Sequence, residues 1–236
     1  MSNETVSQSI SDPSWFDLPL AFFDVESTGK DPKKAKLVTA CVGRIDGSDV
    51  VVKKWLANPG TWIPDEAVAI HGITNEHARA RGRPHDEVCS EIAAELQAVW
   101  REGRIIAGYN LVYDLTLLQS RVGDLLFAVD GPVVDGFIID REFDKYRKGS
   151  RKLVDTCKYY GIEVGAAHEA EADALASARL VWKLAHRFPQ LQELTADQLM
   201  IEQAVWHRDR QLGFIEYLKR TKKPFDDVNV DWPVAS

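Results

Sequence analysis

Cysteine is scarce in this chain: Cys41, Cys89 and Cys157 are odd in number, far apart and never in CxxC spacing. That scarcity argues against a disulfide framework or a thiolate zinc site and predicts a reducing compartment. Long hydrophobic runs are missing too, so no segment approaches the ~20 apolar residues of a membrane span. The first 17 residues lack the basic-then-apolar build of a secretory leader. The expected location is cytoplasmic, with no membrane partner. Positive charge is also short: 29 Lys and Arg stand against 36 Asp and Glu, for a net charge of −7. A protein that grips long nucleic acid by bulk electrostatics would have the opposite sign. A chain that meets a few phosphates through bound cations remains allowed, because the cations supply part of the field.

What is present is an ordinary globular composition, 45% apolar and 28% charged over 236 residues. That is enough for one sizeable α/β domain plus an appendage. The most informative segment is Leu20-Ala21-Phe22-Phe23-Asp24-Val25-Glu26. On a strand, Asp24 and Glu26 share one face while Ala21, Phe23 and Val25 take the other. Two neighbouring carboxylates on a largely buried strand repel each other and resist desolvation. A divalent cation resolves both problems, and oxygen-only ligands favour Mg²⁺ or Mn²⁺ over zinc. Taken alone, the pair is equally compatible with an edge strand that ends in acids. The following turn, Ser27-Thr28-Gly29, is expected to offer free backbone N–H groups and hydroxyls to an anion.

Further along, residues 37–45 and 50–56 read as strands joined at Asp46-Gly47, a hairpin signal. After Pro84, an amphipathic helix carries Val88, Ile92, Leu96, Val99 and Trp100 on one face. Residues 105–107 form a short buried strand, and Asn110 is expected to cap a helix bearing Leu111, Leu115, Leu118 and Val122. Val133-Val134 is another short strand, followed by helices near 137–146 and 153–160. A strong helix over 169–186 has Leu175, Ala178, Val181, Trp182 and Ala185 as its stripe. A meander followed by alternating strands and helices predicts a mixed central sheet flanked by helices. The expected organisation is a disordered polar tail over 1–17, one domain over 18–187 and a helical extension over 188–236. That extension is capped at Thr195, carries Ile201 and Val205, and packs on the domain or on a partner.

Three more chemical residues stand out. Asp114 lies just inside the helix begun at Asn110, near a positive helix terminus. Asp173 lies early in the last domain helix among small residues. His168 precedes it in a loop, with an ordinary pKa of about 6.5 that suits a base near neutral pH. His77, His85, His186 and His207 lack partners at ligand spacing and read as surface or boundary residues.

Together, Asp24-Val25-Glu26-Ser27-Thr28-Gly29, Asn110-Leu111-Val112-Tyr113-Asp114 and His168 four residues ahead of Asp173 resemble the three motifs of the DEDDh exonuclease family. That family is a branch of the ribonuclease H-like superfamily and includes the proofreading epsilon subunit of bacterial DNA polymerase III. His71-Gly72-Ile73-Thr74 is similar to an element found between its first two motifs. The set is specific where each piece alone is not.

The resemblance implies a ribonuclease H-like α/β fold and 3′–5′ hydrolysis of terminal phosphodiesters to nucleoside 5′-monophosphates. It implies that Asp24, Glu26, Asp114 and Asp173 hold two Mg²⁺ or Mn²⁺ ions, with Asp24 bridging and His168 as general base. Val25, Ser27, Thr28, Gly29, His71, Ile73, Asn110 and Tyr113 would contact the last nucleotides, with Ile73 as a wedge and Tyr113 stacking on a base. The partner is a nucleic acid 3′ end. DNA is favoured, and RNA trimming or a non-catalytic end-binding module are the alternatives. Polymerase or clamp association and oligomeric state stay open. The basic stretch Arg141, Lys145, Arg147, Lys148, Arg151, Lys152 and Lys158 would either follow trailing phosphates or form a solvated face.

Overall fold

Alternating apolar residues build an antiparallel meander of β1 (Leu20–Ser27), β2 (Leu37–Asp46) and β3 (Asp49–Asn58) in the computed structural model, which describes residues 12–165 and 170–236. Phe22 pairs with Gly43, Asp24 with Cys41 and Glu26 with Thr39. Glycine is needed at 43, because a Cβ there would lie 2.0 Å from the Phe22 ring. Asp46 faces Asp49 across the Gly47-Ser48 turn, with Gly47 at φ +63° as a tight hairpin demands.

Two short helices, α1 (Asp65–His71) and α2 (Asn75–Arg81), follow, although their sequence carries no amphipathic stripe. The His71-Gly72-Ile73-Thr74 element is their junction. Gly72 ends α1 in the left-handed conformation at φ 76°, and Thr74 caps α2 by accepting from His77 N–H. β4 (Arg83–Pro84), α3 (His85–Arg101), β5 (Ile105–Gly108), α4 (Leu111–Val122), β6 (Val133–Asp135), α5 (Gly136–Phe143), α6 (Leu153–Tyr159), α7 (Ala170–Arg187) and α8 (Ala196–Arg220) complete the order.

The sheet runs β4-β3-β2-β1-β5-β6, with β5 and β6 parallel to β1. One face buries Phe23, Val25 and Val42 against Ile92 and Leu96 of α3 and Leu115 of α4. The other buries Phe22, Cys41 and Ala107 against Ala174, Ala178 and Val181 of α7. Each fully buried large side chain contributes about 1.5–3 kcal/mol. This is the mixed, helix-flanked sheet that the strand pattern predicts. No helix among the described residues is long and apolar enough to cross a membrane.

The two ends depart from expectation. Residues 14–17 do not belong to a loose tail: Trp15–Asp17 forms a 3-10 turn and Trp15 is buried. Its Nε1–H donates to Leu191 O at 2.6 Å, and Ser14 bridges to Thr195. An indole whose N–H has a carbonyl partner is stable inside, and residues 189–194 supply that carbonyl. The C-terminal segment packs on the domain itself, through Leu191 and Leu199 on one face of the sheet and Trp232 on the other. Ile201 and Val205 point outward, while the inward residues of α8 are Leu199, Gln203 and Leu218. Trp182 likewise lies at the surface, its ring 3.9 Å from that of His186. His85, read as a boundary residue, is buried and structural, with Nε2 accepting from Leu37 N–H at 3.2 Å.

Candidate active site

Asp24 and Glu26 project from β1 toward α7, the face opposite Ala21, Phe23 and Val25, as strand alternation requires. The start of α7 lies over β2: Cys41, opposite Asp24, donates its thiol to Ala170 O at 3.1 Å. Small residues Ala174 and Ala176 allow this close approach and bring Asp173 to the carboxylate pair.

Asp114 arrives from the other side. β5 pairs with β1 only as far as Phe22, so the N–H of Val25 has no strand partner. The Asp114 carboxylate fills that place, its Oδ1 accepting from Val25 N–H at 3.0 Å.

The electrostatics follow from this convergence. Burial, then Asp114, Glu26 and Asp173, hold the Asp24 carboxyl well above the ordinary carboxylate range. Glu26 is raised to about 7 by burial and by Asp173. Asp114 is raised by burial, against the pull of the Val25 N–H. Four carboxyl groups therefore disfavour each other's ionisation, which is the arrangement that a divalent cation relieves. Their all-oxygen donor set suits a hard cation. The side chains are not drawn together to ligand spacing: among the described residues no three His, Cys, Asp or Glu close on one point. His168 lies outside the described residues.

Around Glu26 opens a cleft of about 570 Å³, lined by Ser27, Thr28, Gly29, His71 and Tyr113 among others. Most polar groups of the turn there are engaged by neighbouring groups. Thr28 N–H donates to Lys36 O at 2.9 Å, and its hydroxyl accepts from Lys36 N–H at 2.9 Å. Tyr113 OH donates to Gly29 O and meets the Ser27 hydroxyl. With the Val25 N–H spent on Asp114, the backbone of this loop is committed to holding its own shape. A further donor lies on His71. Its Nδ1 accepts from Ile73 N–H at 3.1 Å, which places the ring proton on Nε2. That atom is buried with no hydrogen-bond partner among the described residues. Burial, opposed by the Ser27 and His71 backbone, lowers the His71 pKa and keeps the ring neutral. Ile73 and His71 also line a neighbouring depression with Ala170 and Glu171, where Glu171 is ion-paired with Lys54. Asn110 stands apart, on a groove that reaches Arg141 and shares only Tyr113 with the Glu26 cleft.

Asn110 also does not cap α4 with its side chain. It adopts φ 68°, and the cap comes from Asp135, a residue the sequence reading left out. Asp135 is fully buried at the end of β6, accepting from Asn110 N–H at 2.8 Å, Leu111 N–H at 2.9 Å and Phe137 N–H at 2.9 Å. Burial still raises it to about 6. Its local signal was legible, an aspartate between a short strand and a helix. Its reach across to α4 was not.

Comparison with known proteins gives concordant results. The Exonuclease family model matches residues 21–181. An uncharacterized exonuclease of Escherichia phage 186 is 28% identical over 200 residues, covering 78% of this chain and 96% of the phage protein. A PolC-type DNA polymerase III from Halalkalibacterium halodurans is 24% identical over 82% of this chain but only 13% of the polymerase. Escherichia coli exonuclease I, solved in complex with a dT13 oligonucleotide, superposes with a TM-score of 0.63. It is 23% identical, and the alignment covers 75% of this chain and 43% of exonuclease I, so this likeness speaks to fold. A zinc-bound form of the same enzyme has a TM-score of 0.61 at 22% identity, over 84% of this chain and 45% of that one.

Proposed function

The chain belongs to the exonuclease family, as a DEDD-type 3′–5′ exonuclease of the ribonuclease H-like superfamily, and from that premise we propose that it removes nucleoside 5′-monophosphates from the 3′ ends of single-stranded or frayed DNA. The observation that carries this reading is the mutual elevation of Asp24 and Glu26 by each other's neighbours, with Asp114 anchored to Val25 N–H. A site that disfavours its own charge is suited to gaining cations and, through them, phosphate.

In this reading Asp24, Glu26, Asp114 and Asp173 hold two Mg²⁺ or Mn²⁺ ions. Such ions, when bound, stabilise charge on the phosphoryl and leaving oxygens and acidify a water. His168 accepts the proton of the attacking water, a task to which an imidazole is suited. His71 donates its Nε2–H to an oxygen of the terminal nucleotide; being neutral, it adds direction without adding charge. Tyr113 forms a wall of the cleft, keeps the Ser27–Gly29 turn in place and stacks on the last base. Ile73 packs partly on Val38, Ile63 and Ala78 and presents its remaining surface beside His71.

The test is a product analysis in Mg²⁺ on matched DNA and RNA strands labelled at either end. The expected result is stepwise loss from the 3′ end with mononucleotide products, faster on DNA. Loss from the 5′ end, or oligonucleotide products, would overturn the reaction, and a preference for RNA would overturn the substrate. Replacing His168 with alanine should remove the acid limb of the pH–rate profile together with most of the rate. An unchanged profile would exclude it as the base.

A further inference from the structure

We propose that the groove between α5 and α8 is an anion site that holds a backbone phosphate of the substrate strand upstream of the scissile bond. The proposal rests on the exonuclease reading above and extends it along the groove that the second motif borders through Asn110 and Tyr113. The groove encloses about 600 Å³ and is lined by Arg141, Lys145, Trp206, Arg210, Phe214 and, at one end, Tyr113. Tyr113 also lines the cleft that contains Glu26 and His71. The groove and the cleft therefore share the Tyr113 ring, and a strand leaving the cleft over that ring would enter the groove.

Arg141 is the reason to expect an anion. Its Nε is buried with no hydrogen-bond partner, and no carboxylate pairs with it among the described residues. The guanidinium lies 4.3 Å over the Phe137 ring, which fixes its plane. Burial and the nearby charges of Arg210 and Arg151 lower it to about 10. Nearby arginines are treated differently. Arg147 and Arg151 share the Asp140 carboxylate as an ion-pair partner, at 2.9 Å and 2.6 Å. The two acids on the groove do not perform that service for Arg141. Glu142 lies 3.8 Å from Lys145, and Asp209 forms no ion pair with either arginine. A half-buried guanidinium beside a second one is costly unless an anion completes it. The planar fork of arginine matches phosphate oxygens bidentately. Phe214, about half exposed (46%), and the partly buried Trp206 also line the groove, the combination of cations and aromatics that single strands favour.

The experiment uses the full chain, with Arg141→Gln and Arg210→Gln checked for folding by thermal melting. Each variant is assayed on a dinucleotide and on a single strand long enough to run through the groove. The expected result is a KM raised about tenfold for the long strand at nearly constant kcat, with dinucleotide kinetics unaltered. The dependence of binding on salt should shallow by about one unit of slope per arginine. A neutral methylphosphonate placed at successive linkages should, at one position, weaken the wild type and add nothing in Arg141→Gln. Equal effects on dinucleotide and long strand, an unchanged KM, or the absence of any coupled linkage would overturn the proposal. So would competition by inorganic phosphate without linkage dependence, which would mark a site for the free ion. Anisotropy of a labelled oligonucleotide separates the two layers. A chain that hydrolyses nothing but binds the strand through both arginines would fail the exonuclease reading and keep the groove; binding indifferent to them would remove the groove whatever the activity.

Discussion

At the scale of single residues, the site is a store of unfavourable charge. Glu26 titrates near 7 in the folded chain against an ordinary 4.5. Between those values the folded state holds a proton that the unfolded chain has released, so metal-free stability falls as pH rises from about 4.5 to about 7. The penalty above that window is on the order of 1–3 kcal/mol for Glu26. Thermal melts in chelator should therefore give a higher midpoint near pH 5 than near pH 8, and Glu26→Gln should narrow that difference. A companion outcome concerns Asp24→Asn, which removes a charge crowded by three others. The metal-free variant should melt at or above the wild-type temperature at pH 8, yet lose the Mg²⁺-induced shift and the nuclease activity. A variant that unfolds instead would make Asp24 structural. Strand alternation made the shared face of Asp24 and Glu26 legible from sequence alone. The bond from Asp114 to Val25 N–H was not legible, because it depends on the β5 pairing ending at Phe22, three residues before Val25.

At the scale of elements, the position of Asp114 depends on how α4 begins. Asn110 takes a left-handed conformation and gives its N–H to Asp135, so the first turn of α4 is fixed by a carboxylate 24 residues downstream of Leu111. Removing that carboxylate leaves three N–H groups in need of partners, at about 1–3 kcal/mol for each buried one. Asp135→Ala should lower stability by at least ~2 kcal/mol in denaturant titrations and reduce kcat more than KM. Asp135→Asn, which retains acceptor capacity on one oxygen, should recover part of both. Equal kinetics for the two variants would show that Asp135 serves folding alone. The amphipathic helices α3 and α7 were readable because their apolar stripes run for four turns or more. α1 and α2 were not, because seven-residue helices show too little periodicity. Their end signals, Asp65 and Glu66 after Pro64, Gly72 and Thr74, were present all along. The motif that suggested substrate contact is in its backbone a helix-to-helix junction, and it leaves the His71 ring inside the cleft as a donor.

At the scale of the whole molecule, the C-terminal segment is part of the machinery that shapes the site. Gln203 of α8 is completely buried; its Oε1 accepts from Asp135 N–H at 2.7 Å, and its Nε2 donates to Val133 O at 3.0 Å. One amide thus fastens α8 to β6 at the residue that caps α4, which in turn carries Asp114 to β1. A reading that follows only apolar residues finds Ile201 and Val205 in this helix and misses its inward stripe, because the central inward residue is a glutamine. Two substitutions separate the fastening role from mere packing. Trp15→Ala removes a buried indole that ties the start of the chain to Leu191, far along the fold from the carboxylates, and should cost about 3–5 kcal/mol. Gln203→Ala leaves the Asp135 N–H and the Val133 carbonyl unpaired and should cost about 2 kcal/mol. Both chains should melt early. Only Gln203→Ala should also shift the Mg²⁺ concentration at half-maximal activity upward, by several-fold, because only that change loosens the path to Asp114. Metal titrations well below either melting temperature read this directly. A parallel shift in Trp15→Ala would mean that general loosening, and not the Gln203–Asp135 link, sets the geometry of the carboxylates.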